Sequence, residues 1–128
     1  MPHLIGRAFG AALLPLALAA TPAAAQSGDA TRGRAVFQGQ CGVCHSVAPG
    51  KAIIGPSLAG IVGRAAGKQA GFAYSPALAK AGFKWDKAKL DAWIAGPAKV
   101  VPGNRMPFAG LADGAKRADL IAYLANPK

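Results

Sequence analysis

The stretch Cys41-Gly42-Val43-Cys44-His45 contains the only two cysteines of the chain. Residues three apart on a helical turn face the same way, so both thiols can reach the two vinyl groups on one edge of a porphyrin. The adjacent imidazole can then swing under the ring and bind its iron. C-x-x-C-H is the attachment signature of a c-type haem. We therefore predict one haem c, held covalently by Cys41 and Cys44.

Three other uses of two close cysteines agree less well with the rest of the chain. A thioredoxin-like dithiol requires a strand–helix–strand unit, and no segment alternates with period two. A zinc site requires four ligands, but beyond Cys41, Cys44 and His45 the chain after residue 25 has no Cys or His left and only five Asp. A disulfide between residues three apart would close a very small, strained ring.

Few side chains are available as further iron ligands. His45 is the only histidine after residue 25, and Met106 is the only methionine after Met1. A lone methionine usually fills a gap in a core, but beside a haem it is the one soft thioether on offer. We predict His45 and Met106 as the axial ligands, a pairing that raises the reduction potential.

The first 25 residues have the features of a secretory signal. His3 and Arg7 precede an uncharged apolar run from Ala8 to Ala20, shorter than the roughly 17 to 25 residues of a spanning helix. Ala23-Ala24-Ala25 is the small-residue pattern of a cleavage site. We predict cleavage near Ala25-Gln26 and export to the periplasm, with an uncleaved amphipathic anchor as the alternative. Free thiols do not persist in an oxidising compartment, which agrees with thioether formation.

The chain is strongly basic and has few large apolar side chains. Its formal charge is +10, and residues 26–128 contain 26 bulky apolar side chains in 103 positions. Such a thin core favours an additional stabilising element: a metal, a disulfide or a bulky cofactor. Positive charge favours acidic partners. Nucleic acid is not an expected partner, because the basic residues are scattered along the sequence and an exported protein does not meet nucleic acid.

Residues 26–128 are predicted to form one all-α domain of about four to five helices with long loops. The caps and stops predict helices from Ser27 or Asp29 to Gln40, from Ser75-Pro76 to Gly82, from Asp86 to Gly96 and from Asp113 to about Ala125. Residues 41–74 and 96–112 are predicted loops. Loops of this length in a compact domain indicate that they wrap something.

Residues 26–128 resemble the class I cytochromes c, the small bacterial periplasmic and mitochondrial-type proteins, nearly end to end. The matching segments are Gly28-Asp29 to Cys41, Gly55-Pro56-Ser57-Leu58, Gly63-Arg64, Gly71-Phe72-Ala73-Tyr74, Trp85, Pro102-Gly103-Asn104-Arg105-Met106 and Arg117 to Leu124. The resemblance implies the small cytochrome c fold, with its terminal helices crossing and its loops wrapped around the haem.

The resemblance also implies which residues surround the haem. The carbonyl of Pro56 would orient His45, and the positions that pack against or hydrogen-bond the propionates would be Arg64, Tyr74 and Trp85. Three positions depart from the common pattern, and the first is Gln40, just before Cys41, which lacks the lysine common there in mitochondrial members. Asn104 stands where many relatives have Thr, and Trp93 stands where many have a Tyr that hydrogen-bonds the methionine sulfur.

The function implied is that of a soluble one-electron carrier, not an enzyme, because an iron with six ligands has no vacant position for a substrate. A haem enzyme or ligand-binding protein, peroxidase-like or gas-binding, with a labile sixth ligand is the alternative. The expected partners are acidic docking surfaces of an oxidase, a cytochrome bc-type complex, a reaction centre or a dehydrogenase, met transiently by a monomer. Lys51, Lys99 and Arg105 are predicted members of the basic ring that docks there.

Overall fold

The computed structural model describes residues 27–128, in which five α-helices and no strands are formed. α1 is Ala30–Gln40, α2 is Pro76–Ala79, α3 is Lys87–Ala95, α4 is Pro97–Val100 and α5 is Gly114–Ala125. Two isolated bridges, His45 to Ala52 and Ala65 to Lys84, join loop segments. The predicted all-α fold is confirmed, whereas the predicted signal segment lies outside the described residues. None of the helices described is long and apolar enough to cross a membrane.

Four of the five helices begin at a side-chain cap that the sequence predicts. Asp29, Ser75, Asp86 and Asp113 each accept a hydrogen bond from the backbone N–H three residues further on. A cap of this kind satisfies one of the unpaired N–H groups of the first turn. The start of each helix is therefore set by local chemistry.

Two helix ends differ from the prediction. The loop predicted over 96–112 is wrong at its start, where α4 makes one turn with Pro97 as its first residue. Proline fits that position because its fixed φ suits a helix and its missing N–H is not needed there. α2 ends at Ala79, before Gly82, because the N–H of Ala81 bonds to the carbonyl of Leu78, three residues back, and Gly82 takes a left-handed φ of 73°.

The terminal helices cross at a glycine. Gly33 of α1 lies against the backbone carbonyl of Asp119 in α5, where an added Cβ would collide. Next to this contact the rings of Phe37 and Tyr123 have their centroids 5.5 Å apart. The close approach is possible only without a side chain at position 33. It fixes α1 against α5, and the C-x-x-C-H motif continues directly from the end of α1.

The carboxylate of Asp119 ties α5 to the start of α1. It accepts a hydrogen bond of 2.7 Å from the backbone N–H of Asp29 and one of 2.9 Å from Nε of Arg32. The side chain of Asp119 is 10% exposed, whereas that of Arg32 is 67% exposed. The Arg32 guanidinium holds the pKa of the Asp119 carboxyl below its usual range, with a further contribution from the N–H of Asp29.

Candidate functional site

The residues predicted to carry the chemistry line one cleft of about 360 Å³. Cys41, Cys44 and His45 line the cleft, and Met106 lines it as part of the segment 105–108. Several of the most deeply buried apolar side chains face the same space, namely Trp85, Leu90, Trp93, Ile94, Leu120 and Leu124. The volume is typical of a site for a small molecule or cofactor. The core is therefore built around this cleft.

His45 is oriented by backbone on two sides. Its Nδ1 lies 2.8 Å from the carbonyl oxygen of Pro56, the contact that the resemblance implies. Because a carbonyl only accepts, Nδ1 carries the proton of the neutral ring and Nε2 is left with its lone pair. On the other side the imidazole contacts the backbone of Gly55, where an added Cβ would collide with the ring. The N–H of Gly55 donates a hydrogen bond of 2.7 Å to the carbonyl of Cys44.

Burial decides the charge of the imidazole and of the first thiol. Burial lowers the pKa of His45, the Pro56 carbonyl raises it, and the nearby Arg64 lowers it. The ring is therefore neutral at pH 7, the form that binds a metal. Burial, with a smaller contribution from Cys44, raises the pKa of Cys41 to about 11. A catalytic dithiol needs a lowered thiol pKa, so this environment is unlike that of a thioredoxin-type site.

Asn104 acts on Met106 through the backbone. Its Nδ2 donates 2.9 Å to the carbonyl of Val101, and its Oδ1 accepts 2.9 Å from the N–H of Met106. Asn104 is not among the residues that line the cleft, whereas Met106 is half-buried and lines it. The amide thus shapes the turn that presents the methionine.

An aromatic wall closes the cleft on the side of α3. The ring centroids of Trp85 and Trp93 lie 5.1 Å apart at 65°, and those of Phe83 and Trp85 lie 4.9 Å apart at 83°. Edge-to-face pairs of this kind add stability beyond the area they bury. Trp85, Trp93 and Tyr74 all line the cleft, at the positions where the resemblance implies neighbours of the haem.

Arg64 lines the cleft and holds the loop of residues 57–59 through its guanidinium. Its Nη1 donates 3.0 Å to the carbonyl of Ala59, and its Nη2 donates 2.9 Å to that of Ser57. Ser57 is buried and donates 2.7 Å to the carbonyl of Ala48. Burial lowers the pKa of Arg64, but a guanidinium stays charged in proteins. A fixed cation in the lining suits an anionic group such as a propionate.

Of the three predicted cations of the docking ring, one lines the cleft and two do not, and several residues that line the cleft were not predicted. Arg105 lines the cleft, whereas Lys51 and Lys99 do not. The sequence analysis missed Gln40, Ile54, Leu58, Ile61, Leu78 and Phe108 as lining residues. Leu120 and Leu124 have the spacing of an apolar helix face in the sequence. That spacing predicts that they are buried, but it does not show that they line a cleft.

The donor set fits a covalently attached haem better than a metal held by protein alone. Over residues 27–128, no group of three or more His, Cys, Asp or Glu side chains could hold a metal ion. The cleft instead combines one imidazole, one thioether, two thiols and apolar walls. The backbone of Gly55 packs directly against the imidazole of His45, which a side chain at position 55 would displace.

A family model described as Cytochrome c matches residues 30–128. The chain belongs to the cytochrome c family. It is 42% identical to cytochrome c2 of Rhodomicrobium vannielii over 121 residues, which cover 94% of this chain and 96% of that protein. It is 46% identical to cytochrome c2 of Blastochloris viridis over 113 residues, covering 88% and 87% of the two chains. Among solved structures, cytochrome cH from Methylobacterium extorquens superposes with a TM-score of 0.72 at 46% identity, covering 76% of this chain and 97% of that one.

This class I cytochrome c is an electron carrier with one covalently bound haem c, and it is not an enzyme. When bound, the haem supplies an iron that takes up and gives up one electron. The protein supplies the thiols, the imidazole, the apolar walls and the cation at Arg64. The comparisons give no support to the alternative of a peroxidase-like or gas-binding protein.

Proposed function

We propose that the cytochrome holds its haem through thioether bonds to Cys41 and Cys44, with His45 and Met106 as the axial ligands. The observation that carries this proposal is that the single imidazole and the single methionine of residues 27–128 line the same cleft. The hydrogen bond from Nδ1 to Pro56 leaves Nε2 of His45 as the nitrogen that can bind a metal. A thioether ligand and an apolar pocket both favour a high reduction potential.

Truncation of the methionine tests this ligand set. In the holoprotein, Met106→Ala is expected to abolish the near-infrared sulfur-to-iron band, lower the reduction potential and allow carbon monoxide to bind at neutral pH. The matched control is Leu111→Ala, a truncation at a half-buried residue that packs on the core without lining the cleft. An unchanged near-infrared band in Met106→Ala would contradict the proposal.

The surrounding residues have proposed roles of their own. Arg64, Tyr74 and Trp85 are the proposed neighbours of the propionates, and Trp93 and Asn104 the proposed neighbours of Met106. Their places in or beside the cleft support these roles. Arg64→Lys would keep the charge and lose the double contact to Ala59 and Ser57. We expect it to lower the reduction potential only slightly, and Arg64→Gln to lower it more.

The proposed location is the periplasm, after removal of residues 1–25. The apolar run from Ala8 to Ala20 and the triplet Ala23-Ala24-Ala25 support it. The match to the Rhodomicrobium vannielii protein, over 121 residues, also extends into this part of the chain. Mass spectrometry of the protein from a periplasmic extract should give a chain that begins near Gln26 and carries one haem. A haem-loaded chain that keeps residues 1–25 would contradict cleavage.

The proposed partners are larger redox complexes that present acidic surfaces: an oxidase, a cytochrome bc-type complex, a reaction centre or a dehydrogenase. All five acidic side chains are engaged within the protein: Asp29, Asp86 and Asp113 cap helices, and Asp91 and Asp119 bond arginines. No lysine forms an ion pair within residues 27–128. The surface cations are thus available to steer encounter, and the rate of exchange with a partner should fall as ionic strength rises.

A further inference from the structure

The segment that carries Met106 is held on both sides of the methionine. Before it, Asn104 bonds to the carbonyl of Val101 and to the N–H of Met106. After it, the N–H of Leu111 donates 2.8 Å to the carbonyl of Ile94 in α3. The segment can therefore lift away from the cleft only when the contacts on one of these two sides break.

One arginine of α5 holds the second side. Nη1 of Arg117 donates 2.9 Å to the carbonyl of Leu111 and 2.8 Å to that of Ala112. Its Nε donates 2.8 Å to Oδ1 of Asp91 in α3. The side chain of Arg117 is 16% exposed, so these bonds are largely shielded from water. A single guanidinium thus joins the methionine segment, α3 and α5, because its planar fork reaches all three partners at once.

Tight backbone packing keeps this side of the segment against α3. Gly110 has a φ of 120°, and an added Cβ there would collide with the carbonyl of Ala95. Ala95 is two residues after Trp93, which lines the cleft. A local opening breaks only the contacts of the part that moves. The few bonds at this point therefore set the free energy of releasing Met106.

We propose that Arg117, paired with Asp91, is a positioning residue that keeps Met106 at the cleft. Within the described residues Arg117 does not line the cleft, so it acts through the backbone of residues 106–112. The proposal rests on the proposed function, in which Met106 is an axial ligand, and adds the residues that hold this ligand during electron exchange. It also predicts that the segment opens without release of α1, because over residues 27–128 the side-chain bonds of Arg117 go to α3 and the segment alone.

The rate at which the methionine segment opens tests the proposal. Imidazole, mainly uncharged at about pH 8, replaces a methionine ligand only after the segment has opened. At saturating imidazole, the loss of the near-infrared sulfur-to-iron band of the oxidised holoprotein therefore reports the opening rate. Arg117→Gln removes the ion pair and the double carbonyl contact, and opening should become about tenfold faster. Arg117→Lys keeps the charge and loses the fork, so its rate should lie between the two.

Asp91→Asn is a milder variant that keeps the protein intact. It leaves both carbonyl contacts of Arg117 in place and should open about threefold faster, as the loss of a partly exposed ion pair implies. The Asp91 side chain is 47% exposed, so this variant should load haem normally. If Arg117→Gln failed to load haem, Asp91→Asn and Arg117→Lys would carry the test, and unchanged opening rates in both would overturn the proposal.

Arg32→Gln is the matched control for Arg117→Gln. It makes the same substitution at another arginine that bonds an aspartate of α5, with Nε 2.9 Å from Oδ2 of Asp119. The side chain of Arg32 pairs with Asp29 and Asp119 and not with the methionine segment, over residues 27–128. Arg32→Gln should lower the free energy of unfolding in urea and keep the opening rate of the wild type. An equal acceleration in the two variants would mean that opening follows global stability, and would overturn the positioning role.

The wild type separates this proposal from the proposed function. A wild type that lacks the near-infrared band would overturn Met106 as a ligand, and the role of Arg117 with it. A wild type that has the band and reaches a limiting rate at high imidazole supports the ligand set. An unchanged limiting rate in a haem-loaded Arg117→Gln would then overturn the role of Arg117 alone.

Discussion

His45 rests directly on the backbone of Gly55, at a point where a side chain has no room. The same imidazole bonds to Pro56, the next residue, at 2.8 Å. One dipeptide thus sets both the position and the tautomer of the ring. The hydrogen bond from the N–H of Gly55 to the carbonyl of Cys44 secures this return of the chain to the motif.

The first prediction concerns this contact. Gly55→Ala should displace the imidazole, since its Cβ would collide with the ring, and overpacking of this kind typically costs about 1 to 3 kcal/mol. Thermal unfolding and the absorption spectrum of the reduced holoprotein measure the two effects. Gly39→Ala is the control, because Gly39 lies in α1 with no atom within 4 Å of an added Cβ. It should be neutral or stabilising by up to about 1 kcal/mol. Equal stability and equal spectra for the two variants would contradict the role assigned to Gly55.

The second prediction concerns the turn that presents the methionine. Asn104→Ala removes the hydrogen bonds to Val101 and Met106, and we expect a loss of about 1 to 2 kcal/mol. The near-infrared band should titrate away at a lower pH or temperature than in the wild type, because the loop opens more easily. Asn104→Thr keeps an oxygen that can accept from the N–H of Met106 and should recover part of the loss. A band as persistent in Asn104→Ala as in the wild type would show that the turn does not depend on this amide.

Local sequence signals predicted most of the helices and the chemical centre. Asp29, Ser75, Asp86 and Asp113 are caps that act within three residues, so their effect is visible in the sequence. The C-x-x-C-H motif is equally local. α4 was not predicted because Gly96 and Pro97 together form a signal that reads as a stop, although Pro97 also fits a first helical position.

Apart from the contact of Pro56 with His45, which the resemblance implied, most contacts that shape the cleft could not be predicted because they join distant segments. Gly33 is one glycine among seventeen in the sequence, and only the crossing with Asp119 shows why it must be small. Ile54 reads as a core residue by composition, yet it is exposed at the cleft. Such features depend on how loops return to one another, which periodicity does not encode.

The third prediction concerns the cofactor as a structural element. Without the haem, several apolar side chains that line the cleft would face water, at about 1.5 to 3 kcal/mol for each side chain that is fully exposed, and the sum is on the order of 10 kcal/mol. That is comparable to the total stability of about 5 to 15 kcal/mol of a typical domain. The double variant Cys41→Ser, Cys44→Ser, made without covalent haem, should therefore be largely unfolded by circular dichroism.

Val43→Ser serves as its control. It introduces the same residue into the same motif at an exposed position and should leave haem attachment and folding intact. A cooperative, native-like melt of the haem-free double variant would show that residues 26–128 form a sufficient core alone.

The fourth prediction is a pH dependence of stability that originates at the crossing of α1 and α5. The pKa of Asp119 is lowered in the folded state by Arg32 and by the N–H of Asp29, relative to about 3.9 in an unfolded chain. A lowered carboxyl pKa contributes stability that is fully present above the unfolded value and is lost as the pH falls through the folded one. Asp119→Asn should therefore destabilise the holoprotein most at pH 6 to 7, and the difference from the wild type should shrink below about pH 5.

Asp113→Asn is the matched control for this acid dependence. It makes the same substitution on the same helix, at a cap that bonds the N–H of Lys116, and asparagine is as good a cap as aspartate. Its effect on the free energy of unfolding at pH 6 to 7 should be smaller than that of Asp119→Asn. Urea unfolding between pH 3 and pH 7 measures all three proteins. A constant difference between Asp119→Asn and the wild type across that range would mean that the carboxylate charge does not stabilise the crossing, and that the contact of Gly33 with the Asp119 backbone holds it instead.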